Sequence, residues 1–330
     1  MYTPPFTIST KAVNLIAEIS AQVERYAIRL EQEDGLLLRK INRIKTIQGS
    51  LAIEGNTLTI SQITDIIDGK TIVAPVREIQ EVRNAIKVYD LFETLNSFSI
   101  TDLKKAHGIM MEALIDDAGS FRHGGVGVVS NNKVIHLAPS ADRVSILIQD
   151  LFEWLTNAKD HLLIRSCVFH YEFEFIHPFS DGNGRMGRLW QSLILKELHS
   201  VFAHLPVENM VFANQQGYYE AINNSSANAD SGIFIDFMLE EVFNTLRRRQ
   251  GNPIPSGISE HVGVNVGVNV GVKTEIINNL KNDPTLSAKE LAVLLNKTTR
   301  TIERNIKELR EQGLLKREGS DKTGIWKISK

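Results

Sequence analysis

Twelve consecutive residues constrain this chain more than anything else in it: His177-Pro178-Phe179-Ser180-Asp181-Gly182-Asn183-Gly184-Arg185-Met186-Gly187-Arg188. One short register holds an imidazole that can exchange protons near neutrality, a carboxylate, three glycines and two arginines. The stretch after it, Leu189 to Leu198, has Leu189, Leu193, Leu195 and Leu198 among its apolar positions and predicts a helix. The glycines are therefore expected in a loop feeding a helix N-terminus, where free N–H groups and the helix dipole favour phosphate. Arg185 and Arg188 are three apart and share one face of the first turn. Their planar, permanently charged guanidinium groups suit phosphate. Asp181 can hold a hard cation such as Mg2+ through oxygen. His177 is the candidate general base. The competing reading is a glycine turn capped by charges with a core histidine, which requires several uncommon features to coincide.

Composition bounds the rest. The 330 residues allow two or three domains and an ample core, and 42% hydrophobic with 23% charged residues is usual for a globular protein. The one cysteine, Cys167, lies in the apolar stretch Leu162–Phe169; it excludes an internal disulfide and reads as a buried, inert thiol. The first residues, Met1-Tyr2-Thr3-Pro4-Pro5, lack the basic start and apolar run of a signal peptide. No apolar run approaches membrane-spanning length, so a cytoplasmic location and no membrane partner are expected. From Lys273 to Lys330, thirteen Lys and Arg face eight Asp and Glu, whereas the remainder carries twenty-four against thirty-one. A basic end on an acidic body suggests a separate module with its own partner.

Helical periodicity runs from about residue 8 to 48, with a second helix expected over Leu36–Ile47 and a short one ending at Gly55. Further helices are expected over Ser61–Ile67, Val76–Leu95, Ile100–Leu114, Ala141–Trp154, Leu162–Phe175 and Gly232–Leu246. Gly125 to Leu137 reads as strand, turn, strand, with the turn at Ser130 to Lys133. The fold class is mostly α with one hairpin. A linker over 247–272 contains the repeat Val-Gly-Val-Asn. After it, Ser287-Ala288-Lys289-Glu290 reads as a capping box opening a helix, a second helix runs to Gln312, and two short strands follow. Helix, turn, helix, hairpin is a winged-helix pattern, whose second helix would expose Arg300, Arg304 and Lys307 to DNA. A solvated protein-docking face is the alternative. The expected division is 1–95, a helical region; 96–246, the catalytic domain; 247–272, the linker; and 273–330, the winged helix.

The motif matches H-x-F-x-[D/E]-G-N-G-R-x-x-R at every defined position, and the chain resembles the Fic family over roughly residues 1 to 246. The resemblance implies transfer of AMP from ATP to a Ser, Thr or Tyr hydroxyl of a target protein, and of the chain itself. It implies His177 as base and Asp181 holding Mg2+ that bridges the α- and β-phosphates. Gly182, Asn183 and Gly184 would cradle those phosphates, with Arg185, Met186 and Gly187 in the same nucleotide-binding turn, and Arg188 would hold the γ-phosphate. The hairpin is similar to the family's flap, with Val126 over the nucleotide. Tyr218 and Tyr219 are similar to its adenine-side aromatics, and Asn228 is a further nucleotide contact. Ser50-Leu51-Ala52-Ile53-Glu54-Gly55 resembles the inhibitory helix, [S/T]-x-x-x-E-[G/N], so Glu54 is expected to pair with Arg188 where the γ-phosphate would sit. ATP, a target protein, DNA and a second copy of the chain are the expected partners. A nucleotide-sensing DNA-binding regulator, or a related chemistry such as AMP removal, is the alternative.

Overall fold

The computed structural model describes residues 2–250, apart from 33, 34, 126, 131, 132 and 206. Further along it describes 276–277, 279–280, 284, 286–295, 299–311, 314–318 and 325–328. Val126, the middle of the hairpin turn, the valine–glycine repeats and the side chain of Arg300 lie outside the described residues. The chain forms two units, Met1–Pro253 and Ile254–Lys330.

The first unit is helical. Helix α1 (Thr10–Gln32) turns Ala12, Ile19, Val23 and Tyr26 inward at helical spacing. Helix α2 (Gly35–Ile53) buries Ile44, Ile47, Leu51 and Ile53. Two short helices follow, α3 (Ile60–Ile67) and α4 (Val76–Asp90). After them come α5 (Ile100–Met110) and the strands β1 (Gly127–Ser130) and β2 (Lys133–Leu137). The strands pair antiparallel, Gly127 opposite Leu137 and Ser130 opposite Lys133, with a register shift between Val128 and Val129. Helices α6 (Ala141–Asn157), α7 (Leu162–Ile176) and α8 (Asn183–Leu198) complete the central part. The unit closes with α9 (Val207–Ala213), α10 (Gln215–Asn228) and α11 (Gly232–Gln250).

Helix α7 is buried on nearly every side, which is why its sequence shows little amphipathic contrast; it and α8 form the centre around which the others pack. The motif is the connection between them. No helix among the described residues is long and apolar enough to cross a membrane.

Several boundaries differ from the sequence reading. Leu36–Ile47 and the separate short helix before Gly55 are one helix, α2, because nothing between Gly35 and Ile53 interrupts it. Gly55 does end it, at φ 91, the left-handed conformation open to glycine at no steric cost. The segment expected to run from Val76 to Leu95 stops at Asp90 and continues as a 3-10 turn, Phe92–Thr94. Helix α5 stops at Met110 rather than Leu114. Most consequentially, α8 begins at Asn183, so Gly184 and Gly187 stand inside the helix and only Gly182 turns, at φ 82.

In the second unit, α12 (Ala288–Leu294) and α13 (Thr299–Glu311) precede β3 (Leu315–Glu318) and β4 (Ile325–Ile328), which pair antiparallel. The capping box forms: the Ser287 N–H donates to Glu290 Oε2 at 2.8 Å, and the Glu290 N–H to Ser287 Oγ at 3.3 Å. Leu291, Ile302, Ile306, Leu309, Leu315 and Trp326 make its small core.

Candidate active site

Helix α7 ends on His177, whose φ of 50 is a left-handed conformation that non-glycine residues seldom adopt. This corner reverses the chain and aims the imidazole outward into a cavity. His177 Nδ1 lies 3.3 Å from the Glu174 carbonyl. A carbonyl only accepts, so Nδ1 carries the proton in this contact and Nε2 is the basic nitrogen.

The next residues are fixed from below. The Phe179 N–H donates to Asn183 Oδ1 and the Asn183 amide donates back to the Phe179 carbonyl, both at 2.9 Å. The Phe179 ring is fully buried and stacks on His107, centroids 3.6 Å apart and planes 4° from parallel. His107 Nδ1 accepts the Gly119 N–H at 2.9 Å, so its Nε2–H donates to the Asp181 carbonyl at 3.0 Å. Burial pushes the His107 pKa down to about 4, which keeps this ring neutral and its tautomer fixed. Sequence reasoning missed His107; nothing near it in the chain marks it. Gly182 also has a steric reason: a Cβ there would stand 2.7 Å from the Met111 sulfur.

The Asp181 carboxylate is 43% exposed and sits between Arg185 Nη2 at 3.3 Å and Arg77 Nη2 at 3.5 Å. Arg185 is buried, and its Nε and Nη1 make no hydrogen bond among the described residues. Nη1 stands 3.9 Å from Glu81 Oε1, so the guanidinium is held between two carboxylates while adding positive charge to the first turn of α8. Among the described residues there is no cluster of three or more metal-ligating side chains. A lone, half-exposed carboxylate nevertheless fits Mg2+, which keeps several waters and takes its other oxygens from a phosphate substrate.

Arg188 is 1% exposed. Its Nη2 donates to Glu54 Oε1 at 2.7 Å and to the Ser50 carbonyl at 3.0 Å. Burial works against the guanidinium charge, but the Glu54 carboxylate and other nearby groups more than offset it, and the Arg188 pKa is raised. Glu54 stands just past the end of α2, where the Glu54 and Gly55 N–H groups close the last turn on Leu51 and Ala52. Gly184 makes room for the pair: a Cβ there would lie 2.8 Å from Glu54 Oε1 and 3.0 Å from Arg188 Nη1.

One cavity joins His177, the first turn of α8 and the Glu54–Arg188 pair; Asp181, Asn183 and Arg185 are not in its lining. Glu54, His177, Gly184 and Arg188 line one side, and Tyr218, Tyr219, Asn223 and Ser226 line the other. Tyr218 is buried and hydrogen-bonds His170 Nε2 at 3.0 Å, whereas Tyr219 is partly exposed at the mouth. Asn228, the last residue of α10, is exposed and absent from the lining, whereas Asn223 and Ser226 on the same helix line the cavity. Met186 is buried in the core rather than turned to the cavity, and Gly187 lies against Glu174 and His170. Glu174, unforeseen from sequence, lines the cavity with its pKa pushed up to about 7 by burial. In the second unit, Arg304 and Lys307 are exposed on α13, but each has a glutamate one turn on, Glu308 at 4.0 Å and Glu311 at 3.9 Å.

Comparison with known proteins agrees with this geometry. Residues 97–195 match the model of the Fic/DOC family, and residues 273–320 match that of an HTH domain. The chain is 29% identical over 208 residues to the protein adenylyltransferase Fic of Nematostella vectensis, covering 58% of this chain and 45% of that protein. It is 31% identical over 173 residues to the protein adenylyltransferase fic-1 of Caenorhabditis elegans, covering 48% and 33%. The chain thus spans less than half the length of these curated relatives. A solved structure of Fic-1 from C. elegans shares the fold at a TM-score of 0.57 and 20% identity, over 73% of this chain and 72% of that one. The crystal structure of a Fic family protein from Desulfovibrio desulfuricans superposes with a TM-score of 0.73 at 39% identity, over 99% of this chain and 98% of that one. With the motif, the fold and a relative matched along almost its whole length, the chain belongs to the Fic family.

Proposed function

We propose that this chain transfers AMP from ATP to a Ser, Thr or Tyr hydroxyl of a target protein, and to itself, and that Glu54 restrains the reaction. The hydroxyl oxygen bonds to the α-phosphorus, the bond from that phosphorus to the bridging oxygen breaks, and pyrophosphate leaves. The hydroxyl proton passes to His177 Nε2, the nitrogen left basic by the Nδ1 contact with the Glu174 carbonyl. The N–H groups at the start of α8 meet the phosphate oxygens as charge moves toward the leaving group, and the buried Arg185 guanidinium adds positive charge from behind that turn. Asp181 would hold Mg2+, which when bound neutralises phosphate charge. Tyr218, Tyr219 and Asn223 offer the walls for base and sugar. The observation that carries this reading is the cavity that joins His177, the first turn of α8 and the Glu54–Arg188 pair.

The test uses ATP labelled in turn at the α- and γ-phosphates, with Mg2+ and a cell lysate. Transfer of the α label to protein is the expected result. Transfer of the γ label instead would make the chain a kinase, and release of label from AMP-modified protein would make it a remover of AMP. The HTH match and the exposed Arg304 and Lys307 support a second proposal, that the C-terminal unit binds duplex DNA.

A further inference from the structure

Arg122 lies outside the motif and away from the phosphate-facing turn, yet it is 2% exposed and gives its guanidinium to main-chain carbonyls. Its Nε–H donates to the carbonyl of His177 at 2.7 Å, Nη1 to that of Gly124 at 2.8 Å, and Nη2 to those of Pro139 at 2.5 Å and Ile176 at 3.3 Å. Its own N–H donates to the Pro178 carbonyl at 2.9 Å. Those acceptors belong to three places in the chain: the left-handed corner at His177, the entry to the β1–β2 hairpin, and the exit from it. A buried charge solvated by four carbonyls is costly to assemble unless the arrangement fixes something. A left-handed non-glycine corner, likewise, persists only where its surroundings over-determine it.

We propose that Arg122 is a positioning residue that sets the distance between the general base and a target segment on the hairpin. This rests on the AMP-transfer reading with His177 as base. An extended target segment added to a hairpin edge by backbone pairing is placed relative to the hairpin's two roots, Gly124 and Pro139. The imidazole of His177 is placed relative to its own backbone. Both references run through one guanidinium. A planar fork with five fixed donors can hold acceptors in separate directions, and a lysine ammonium cannot reproduce that pattern. Without Arg122 the hydroxyl and Nε2 each remain attached but lose their common register, and a misplacement of about 1 Å costs about a hundredfold in rate.

The experiment uses the full chain with Glu54→Gly as parent, and compares Arg122→Lys and Arg122→Ala. With the chain itself as acceptor and α-labelled ATP as donor, the rate of label incorporation at saturating ATP is expected to fall about ten- to a hundredfold for both variants, with KM for ATP unchanged. Methylguanidinium should restore part of the rate to Arg122→Ala and leave the parent unaffected. If Arg122→Ala fails to fold, Arg122→Lys carries the comparison. A lysine variant as fast as the parent, or a KM for ATP that rises in step with the loss of rate, overturns the proposal. A parent that transfers no α label instead overturns the AMP-transfer reading. The coupling is then judged by NMR, where Arg122→Lys should shift the His177 imidazole resonances and speed amide exchange in the hairpin together. A change at one place without the other would refute it.

Discussion

Replacing Glu54 by glycine removes the carboxylate that occupies Arg188 and alters no residue of the motif. The contact is short, Nη2 to Oε1 at 2.7 Å, with the Glu54 side chain 32% exposed and Arg188 almost wholly buried. Hydrogen bonds to charged groups contribute about 1.5–3 kcal/mol, and partial exposure of the carboxylate favours the lower half of that range. If the γ-phosphate must displace Glu54 to reach Arg188, this energy is a penalty on the reactive pose of ATP. Its removal should raise the initial rate about ten- to a hundredfold at subsaturating ATP. The assay is incorporation of α label into target and into the chain itself. Glu54→Gln should fall between wild type and Glu54→Gly, because an amide oxygen still accepts from Nη2 without the charge. Adding Arg188→Ala to Glu54→Gly should abolish most of the gain. Equal rates for wild type and Glu54→Gly would refute the reasoning. So would a gain that survives Arg188→Ala, which would trace the activation to a loosened end of α2.

His177→Ala should lower α-label transfer about 10²–10⁴-fold while nucleotide binding, followed by calorimetry, is retained; near-normal transfer would remove His177 from the mechanism. Glu208, buried and accepting from the Tyr89 hydroxyl at 2.8 Å, has its pKa pushed by burial up to about 7. The folded chain keeps this proton where the unfolded chain has lost it, so the stability linked to it is lost as pH rises from about 4.5 through 7. Glu208→Gln, permanently neutral, should therefore gain in melting temperature relative to wild type between pH 5 and pH 8, by up to about 3 kcal/mol in stability; a pH-independent difference would contradict that assignment. Duplex DNA should retain the full chain at low salt, with log-linear loss as salt rises, and Arg304→Glu with Lys307→Glu should abolish retention. Retention indifferent to that double change would relocate the DNA surface or dismiss it.

The motif is legible because its residues are adjacent in sequence, and contacts within one turn of a helix follow from spacing alone. Glu54 was legible only through resemblance: 134 residues separate it from Arg188, and a glutamate before a glycine is otherwise unremarked. Arg122 and His107 gave no signal, since each acts on backbone carbonyls that carry no side-chain signature. The sequence reading starts α8 too late because glycines read as loop formers. In the fold two of them stay helical and serve close approach instead, Gly184 beneath the Glu54–Arg188 pair and Gly187 against Glu174 and His170. Asn228 is expected only through the resemblance; it is exposed at the end of α10, whereas Asn223 and Ser226 on the same helix line the cavity.

The continuity of α2 limits how such a protein can be switched on. Ser50 to Ile53 are the final turn of a helix whose Ile44, Ile47 and Leu51 belong to the main core. If Glu54 restrains AMP transfer as proposed, the restraint cannot be cut away by a protease, or peeled back as an arm, without opening the core that α2 helps to form. Beyond the last turn stands the Glu54 side chain, 32% exposed, beside a glycine in the left-handed conformation. Activation by a rotation at Glu54 would leave the scaffold intact and be reversible within the lifetime of one molecule, whereas activation by losing the helix would destroy the catalyst along with its restraint.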